Sequence, residues 1–268
     1  MIEDLLPGEV MSSEAFDDSR PCALFLAEEA VISRSVEKRR REFTTARWCA
    51  RDALGNLGYQ PVPVLPGAKG APIWPSGVVG SITHCAGYRA AVVARSGDIT
   101  TLGIDAEPNK PLPSGILEVI TAGEELRRVM DLLRRDPSVR WDRLLFSAKE
   151  SVYKAWFPLA PLREPGLDFT EASITFDPVC GGFQARLLVE GPRLSDGVEL
   201  KEFSGRWLVG RGLMITAIAV VAAPSVTGDT SGAPDVANAS DAPIAFAADS
   251  AARTLPMATG DHHLSDRR

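Results

Sequence analysis

The stretch FSAKESVYKAWFP, Phe146–Pro158, combines charged and apolar residues in a pattern typical of a partly buried helix. Its apolar residues recur at roughly helical spacing, and proline cannot continue a helix. The pattern therefore predicts a helix that begins near Val139 and ends with this stretch. Glu150 and Lys154 are four residues apart, so their side chains share one face. Taken alone, this pair is typical of a solvent-exposed ion pair.

A second acidic pair lies upstream, in the apolar stretch TLGIDAE, Thr101–Glu107. Asp105 and Glu107 are two residues apart on a predicted strand, so both carboxylates point to the same side of the sheet. Pro108 places them at the strand's end, where ligands often bind. Two carboxylates about 4 Å apart repel by about 4 kcal/mol at an effective dielectric near 20. The residues leave two interpretations open, a bound cation or pairing of each acid with an arginine.

Glu150 adds a third carboxylate if the helix packs beside the strand. Of the three histidines only His84 lies in the body of the chain, which argues against a zinc site built from histidines. Oxygen ligands favour magnesium, manganese or calcium, and magnesium usually recruits substrate phosphates. The candidate phosphate-binding residues are Lys69, His84, Lys149, Lys154 and a basic helix. We therefore expect metal-assisted phosphoryl chemistry.

The basic helix is predicted to follow a cap at Ser33 and to end before Gly58. Its buried stripe runs from Val36 to Leu57, and its other face is rich in cations: Arg34, Lys38, Arg39, Arg40, Arg41, Arg47 and Arg51. Such a face is either simply solvated or forms an anion site. Because arginine forks match phosphate oxygens, phosphate is the expected anion.

The remaining patterns predict an α+β fold. Val78–His84 and Tyr88–Arg95 read as a hairpin, and the apolar run Cys22–Leu26 with Ala30–Ile32 reads as a strand. Thr121 and Glu124 suggest a capping box for a helix that ends at Arg134. Four further strands are predicted at Ala172–Phe176, Phe183–Glu190, Leu200–Gly210 and Leu213–Val221, the last two joined by a tight turn.

Composition bounds the class of protein. The 268 residues are 45% hydrophobic and 24% charged with a net charge of −6, as expected of a globular protein. Four widely separated cysteines favour reduced thiols and a cytoplasmic location, and no apolar run reaches the ~20 residues that span a bilayer. From Pro224 on, six aspartates face three arginines with one aromatic residue. We expect a folded domain over residues 1–222 and a disordered tail over 223–268.

Two of these stretches together resemble a known signature. GIDAE, Gly103–Glu107, followed by FSAKESVYKAWFP is similar to the paired motif of Sfp-type 4′-phosphopantetheinyl transferases, (V/I)G(I/V)D-x-E and (F/W)-x-x-KE-(A/S)-xx-K. GSITHCAGYRAAVV and GAKGAPIWP match two further blocks of that family. The body looks most like the actinobacterial members, which serve fatty-acid, polyketide and peptide synthases.

The resemblance implies a fold and an activity. The fold is two similar α/β halves, residues 1–98 and 99–222, related by a pseudo-twofold axis with the active site in the cleft between them. The activity is magnesium-dependent transfer of 4′-phosphopantetheine from coenzyme A to a serine of apo acyl, peptidyl or polyketide carrier proteins, which releases 3′,5′-ADP. Manganese is a possible alternative ion. The expected protein is a monomer that binds neither membrane nor nucleic acid.

The resemblance also implies roles for individual residues. Asp105, Glu107 and Glu150 match the metal-binding acids, with Asp105 also beside coenzyme A. Glu150 matches the residue that takes the serine proton, and Lys154, assisted by Lys149, matches the lysine that neutralises the pyrophosphate. The resemblance further implies that Arg39 and Arg47 bind the 3′-phosphate of coenzyme A and that Thr83 and His84 bind phosphate. The loop implied to lie against the adenine consists of Lys69, Gly70, Ala71 and Pro72. For His84 alone, a satisfied buried histidine would be the simpler interpretation.

Three aromatic residues of the helix, Phe146, Tyr153 and Trp156, either line the path of the pantetheine arm or pack in the core. Two rival functions remain. One is a magnesium-dependent phosphodiesterase or nucleotide hydrolase that uses the same acids. The other is a nucleic-acid-binding module that uses the basic helix, which the acidic body and the lack of a helix-turn-helix pattern disfavour.

Overall fold

Helices and strands follow one another in blocks along the chain in this computed structural model, which describes residues 1–20, 22–160, 162–164, 166–194 and 197–223. The predicted tail, residues 223–268, lies outside the described residues except for Ala223. The α-helices are α1 (Leu26–Ile32), α2 (Glu37–Asn56), α3 (Ile116–Ile120), α4 (Glu125–Arg135) and α5 (Trp141–Trp156). The strands are β1 (Met11–Ala15), β2 (Val78–Cys85), β3 (Tyr88–Arg95), β4 (Ile99–Pro108), β5 (Ala172–Asp177), β6 (Gly182–Leu187), β7 (Glu202–Gly210) and β8 (Leu213–Val221).

These strands form two antiparallel sheets, one with the order β1-β3-β2 and one with the order β4-β8-β7-β6-β5. Helix α2 packs on the first sheet through Ala50, Ala53 and Leu54, which contact Ala91 and Val93 of β3. Helix α5 packs on the second sheet and forms the largest apolar core with it. The predicted α+β class is confirmed. The pseudo-twofold relation of the halves 1–98 and 99–222 stays a prediction.

The hairpins follow the sequence pattern closely. Strands β2 and β3 are joined at Ala86 and Gly87, and β7 and β8 at Arg211 and Gly212. Arg211 and Gly212 both have positive φ, 54° and 73°, as a two-residue turn of the primed type requires. Because a central strand is covered on both faces, β3 is apolar from Ala90 to Ala94, and its residues Tyr88–Ala94, the ion-paired Arg89 included, are all buried. Both predicted hairpins are confirmed.

The N-terminal region differs from the sequence-based expectation. The predicted strand at Cys22–Leu26 and Ala30–Ile32 is wrong, because Leu26–Ile32 is a helix whose Glu28 carboxylate caps the Phe25 N–H at 3.0 Å. The predicted cap at Ser33 is also wrong. Ser33 ends α1, and α2 begins at Glu37 after an N-cap at Val36 that makes no side-chain hydrogen bond.

Glu28 explains why α1 forms. Its carboxylate is fully buried and accepts hydrogen bonds from Arg51 of α2 at 2.8 Å and from the Val64 N–H at 2.9 Å. This tertiary pair fixes a helix whose apolar residues Leu26 and Val31 stay exposed. The cap of α4 differs in a similar way, since Glu125, rather than the predicted Thr121 and Glu124 pair, accepts from the Ala122 N–H.

Gly103 sets the position of α5 on the second sheet. A Cβ atom at this position would lie 2.0 Å from the Ser151 carbonyl oxygen and 2.7 Å from the Ala155 nitrogen. The helix backbone therefore occupies the space that a side chain would need. One residue pair further along, the Thr101 hydroxyl donates to the Ala155 carbonyl at 2.6 Å. Strand β4 and helix α5 thus touch backbone to backbone next to Asp105.

A seam of two hydroxyls joins the sheets where β2 lies against β4. The Ser81 Oγ atom accepts from the Ile104 N–H at 3.1 Å, and the Thr83 Oγ1 atom accepts from the Ala106 N–H at 3.0 Å. Both hydroxyls are buried. Side chains therefore satisfy two backbone donors of β4 that would otherwise cost free energy in the interior.

Candidate active site

Lys154 and Asp105 join α5 to the end of β4. The Lys154 ammonium donates to Asp105 Oδ1 at 2.8 Å and to the Ile104 carbonyl oxygen at 3.0 Å. Burial lowers the pKa of Lys154, but the charges of Asp105 and Glu150 outweigh it and the pKa lies above its ordinary value. Lys154 is thus a cation at pH 7, held among the acids that the sequence predicted to converge.

The three acids share one electrostatic environment. Burial, and after it the charge of Asp105, raises the pKa of Glu107 to about 7. Burial also raises the pKa of Glu150, with Lys154 opposing and Asp105 reinforcing the shift. Since the charge of Asp105 acts on both glutamates, Asp105 at the end of β4 lies near Glu107 of its own strand and near Glu150 of α5. The convergence of all three acids on one ion stays a prediction.

The donor set suits a hard divalent cation. Asp105 is buried, and its Oδ2 atom has no hydrogen-bond partner, whereas its Oδ1 atom is bonded to Lys154. A buried carboxylate oxygen without a partner is costly, and a cation would satisfy it. Within the described ranges, no three His, Cys, Asp or Glu side chains are arranged to hold a metal ion. The acids therefore fit such an ion in chemistry and charge, and its binding requires side-chain adjustment.

Arg143 is a partner that the sequence analysis missed. Its Nη1 atom donates to Glu107 Oε2 at 3.0 Å. Of the two interpretations of the acidic pair, a bound cation or pairing of each acid with an arginine, the second therefore holds for Glu107 in this structure. Arg143 also donates to the carbonyl oxygens of Lys110 and Pro111, which follow β4. Arg143 and Glu150 are seven residues apart, two helical turns, so helical spacing alone places them on one face.

A cavity of about 650 Å³ brings together residues from distant parts of the chain. Glu150, Tyr153 and Lys154 contribute to its lining from α5. The other predicted ligand-binding residues that line it are Arg39, Arg47, Lys69, Gly70, Ala71, Pro72 and His84. Its volume lies within the range of small-molecule and cofactor sites.

The basic helix and β2 meet at His84. The Arg39 Nη1 atom lies 2.9 Å from His84 Nε2, and because arginine can only donate, the ring nitrogen accepts. Burial, together with the positive charges of Arg39 and Lys154, lowers the pKa of His84 to about 4. His84 is therefore neutral at pH 7, in an environment that favours an incoming anion.

Arg47 supplies a second, more deeply buried cation. Its guanidinium lies 4.1 Å from the Phe43 ring centroid, and its buried Nε atom has no hydrogen-bond partner. Burial, aided by Arg39 and opposed by Glu28, lowers the pKa of Arg47 to about 10. Cations crowded in this way bind phosphate readily. Of the two interpretations of the basic helix, the anion site is the one this geometry favours.

The loop predicted to lie against the adenine is closed on itself. The Gly67 N–H donates to the Ala71 carbonyl oxygen at 2.7 Å, and Pro66 bridges to Pro72. Lys69 has a φ of 51° and forms a salt bridge of 3.3 Å with Glu164. Tyr153 also lines the cavity, whereas Trp156 is fully buried in the core and Phe146 packs on Phe169.

Lys149 lies away from the cavity. Its ammonium is buried and donates to Glu125 at 2.8 Å and to the Phe169 and Ala172 carbonyl oxygens at 2.6 Å each. These three bonds use all three of its hydrogens. The predicted contact between Lys149 and coenzyme A finds no support in this geometry, which gives the residue a structural role between α5, α4 and β5. Sequence spacing could not reveal this, since the partners lie far along the chain.

Thr83 is likewise occupied by the protein. Its side chain is 2% exposed, and its hydroxyl bonds to Asp105 and to the Ala106 N–H. The predicted phosphate contact of Thr83 therefore has no free hydroxyl hydrogen to offer, whereas the neighbouring His84 faces the cavity.

Comparison with known proteins identifies the family. The model of the 4′-phosphopantetheinyl transferase N-terminal domain matches residues 27–94, and that of the 4′-phosphopantetheinyl transferase superfamily matches residues 101–204. The transferase Svp of Streptomyces mobaraensis is 53% identical over 234 residues, 86% of this chain and 93% of its own. The corresponding figures are 47%, 82% and 99% for Npt of Nocardia iowensis, and 48%, 81% and 97% for PptT of Mycobacterium tuberculosis.

The chain therefore belongs to the 4′-phosphopantetheinyl transferase superfamily and is an enzyme. The resemblance found in the sequence, including that to actinobacterial members, is confirmed. No helix within the described residues has the length and apolar character to cross a membrane.

Proposed function

We propose that this enzyme transfers the 4′-phosphopantetheine group of coenzyme A to a serine hydroxyl of an apo carrier protein and releases 3′,5′-ADP. The observation that carries the proposal is the cavity in which an acid and a lysine of α5 meet the cations of α2. Coenzyme A has three phosphate groups and a long, partly apolar arm. A site with clustered cations and carboxylates at one place, and aromatic residues beside them, matches that molecule.

Coenzyme A would be held mainly by its charges. Arg39, Arg47 and neutral His84 would bind the 3′-phosphate, since all three line the cavity and the positive charge of Arg39 acts on both Arg47 and His84. The loop Lys69–Pro72 would lie against the adenine, as the family resemblance implies. Tyr153 would border the pantetheine arm. Lys149 and Thr83 are left out of this set because their polar groups are already bonded within the protein.

Asp105, Glu107 and Glu150 would hold a magnesium ion, with manganese as an alternative, and Asp105 Oδ2 is its first ligand in our proposal because that atom lacks a partner. Such an ion supplies neutralisation of the negative charge that develops on a pyrophosphate. If the Glu107 side chain turned towards the ion, Arg143 would keep its hydrogen bonds to the Lys110 and Pro111 carbonyl oxygens in the loop after β4.

In the transfer itself, a bond forms between the serine oxygen and the phosphorus that carries pantetheine. The phosphoanhydride bond to the adenosine side breaks, and its electron pair stays on the 3′,5′-ADP oxygen. Glu150 would accept the serine proton, directly or through a water molecule, and its raised pKa makes it a stronger base. Lys154 would stabilise the negative charge that develops on the phosphate oxygen of the leaving 3′,5′-ADP.

The protein substrate would dock beside the cavity. Carrier proteins of this family's pathways are acidic and helical, and the start of α2 presents the exposed cations Lys38 and Arg41 with the exposed apolar Val36. Opposite charges steer association and weaken with salt. We further propose that the enzyme acts as a monomer in the cytoplasm, where its free cysteines Cys22, Cys49, Cys85 and Cys180 would stay reduced.

Intact-mass spectrometry tests the proposal. Apo carrier proteins are incubated with the enzyme, coenzyme A and Mg²⁺, and each modified carrier should gain the mass of one phosphopantetheine while 3′,5′-ADP accumulates. Consumption of coenzyme A without a carrier would instead favour the rival hydrolase. A stable shift of nucleic acid at physiological salt would favour the nucleic-acid-binding alternative.

A further inference from the structure

The Thr83 hydroxyl makes two bonds that fix it completely. It accepts from the Ala106 N–H at 3.0 Å and lies 3.3 Å from Asp105 Oδ1. A hydroxyl carries one hydrogen, so with its oxygen accepting from the amide, that hydrogen is directed at the carboxylate. Thr83 is 2% exposed, so water does not compete for these bonds.

These bonds make the two oxygens of Asp105 unequal. Oδ1 accepts from both Thr83 and Lys154, whereas Oδ2 is buried without a partner. Two donors at Oδ1 hold the carboxylate plane in one orientation. Without the Thr83 hydroxyl, the carboxylate could rotate about its terminal torsion, which has a broad energy profile, and Lys154 alone would restrain it.

Ser81 provides a comparison within the same strand. Its hydroxyl occupies the equivalent place two residues earlier and accepts from the Ile104 N–H at 3.1 Å. It belongs to the same seam between β2 and β4, but it makes no bond to a carboxylate in the described part of the chain. The seam therefore explains why both positions carry hydroxyls, and it does not explain the contact of Thr83 with Asp105.

We propose that Thr83 is a positioning residue that orients Asp105 so that its Oδ2 atom is directed at the catalytic cation. This inference rests on the proposed function, because it assigns Thr83 to the metal-binding carboxylate. It replaces the phosphate contact expected of Thr83 with an indirect role. The residue touches neither coenzyme A nor the ion, and acts only through Asp105.

The test measures cation binding without turnover. Mn²⁺ binding is followed by electron paramagnetic resonance, with coenzyme A present and no carrier, for the wild type and for Thr83→Val, Thr83→Ser and Ser81→Ala. Loss of one hydrogen bond to a charged group corresponds to roughly a tenfold weaker Mn²⁺ affinity for Thr83→Val. Thr83→Ser keeps the hydroxyl and should restore the affinity. Ser81→Ala should lower the melting temperature and leave Mn²⁺ affinity at the wild-type value.

Three outcomes contradict the inference. Wild-type Mn²⁺ affinity in Thr83→Val overturns it, and so does equal weakening by Thr83→Val and Ser81→Ala, which would assign the effect to the seam. If Thr83→Val does not fold, Thr83→Ala replaces that variant in the comparison, because its smaller side chain lets water reach the Ala106 N–H. If the wild type itself binds no Mn²⁺ while coenzyme A is present, the metal-dependent function fails, and the role of Thr83 fails with it.

Discussion

Substitution of Gly103 by alanine should separate α5 from β4 and inactivate the enzyme. The added Cβ would lie 2.0 Å from the Ser151 carbonyl oxygen, 2.7 Å from the Ala155 nitrogen and 2.9 Å from the Ala155 Cβ. All three atoms belong to the helix backbone or to a Cβ fixed to it. A flexible side chain cannot relieve this overlap by changing its rotamer, so the helix must move.

The required movement can be read from the distances. An ordinary contact begins at 3.4 Å, so the carbonyl oxygen 2.0 Å away must retreat by about 1.4 Å. Overpacking a core costs typically 1–3 kcal/mol, and we expect about 3 kcal/mol here because backbone is displaced. A displacement of about 1 Å in a catalytic group can cost 10²-fold in rate. Glu150 and Lys154 flank the contact, so transfer should slow by about 100-fold or more.

Two measurements separate the effects. Denaturant unfolding gives the loss of stability, and the initial rate of carrier modification, followed by intact mass at a temperature where the variant is folded, gives the loss of activity. Gly97→Ala is the matched control, since it lies in the turn just before β4 with nothing within 4 Å of its added Cβ. Wild-type rate and stability in Gly103→Ala would refute the close packing of α5 on β4.

Three further substitutions or titrations test other parts of the site. Glu150→Ala should lower the transfer rate by about 10²–10⁴-fold and leave the circular dichroism spectrum unchanged, because it removes the proposed base. Lys149→Met should destabilise the fold by about 3–5 kcal/mol, since Glu125 would keep a buried charge without its partner, while the KM for coenzyme A stays near the wild-type value. The His84 ring should remain neutral down to about pH 5 in an NMR titration, because the folded protein lowers its pKa to about 4. The unfolded chain, with a pKa near 6.5, binds more protons between these values, so the stability from this residue is complete above pH 6.5 and is lost as the pH falls towards 4.

Each of these expectations has an outcome that contradicts it. Near wild-type transfer by Glu150→Ala removes the residue from the proposed role. A large rise in the KM for coenzyme A with unchanged stability in Lys149→Met would restore the ligand contact first expected of Lys149. A double-mutant cycle with Glu125→Gln, which removes the charge and keeps one side-chain oxygen for a backbone donor, should show a coupling energy between positions 125 and 149. A His84 ring that titrates near pH 6.5, assigned by comparison with His84→Asn, would show that burial and the neighbouring cations do not act as described.

Local patterns were sufficient where periodicity and turn chemistry agree. Helix α5 and the two hairpins were predicted nearly to their ends, because each combines an apolar period with a strong stop or turn signal. Strand β1, Met11–Ala15, was missed because its sequence MSSEA carries little apolar character. Helix α1 was misread as a strand because its formation depends on the buried pair of Glu28 and Arg51, which no local pattern reveals.

The candidate site likewise contains residues that the sequence could predict and residues that it could not. The acids, Lys154 and the cations could be proposed from charge and spacing, and the cavity collects Glu150, Lys154, Arg39, Arg47 and Lys69, whereas Asp105 and Glu107 are not among its lining residues. Lys149 and Thr83 could not be distinguished from ligand-binding residues, because their partners come from α4, β5 and β4, and a sequence does not state which polar groups are already bonded. Arg143 could have been proposed from the sequence as a neighbour of the acids, since helical spacing places it on the same face as Glu150.

The joint between the two sheets has a consequence for redesign of the enzyme. Along β2, the residues Ser81, Ile82 and His84 border the cavity, but Ser81, like Thr83, also fastens the neighbouring strand β4 through its hydroxyl. A library that varies positions 82 and 84 would therefore explore coenzyme A analogues at little structural cost. The same variation at positions 81 and 83 would remove the side-chain hydrogen bonds described between β2 and β4. We expect most of the resulting variants to misfold.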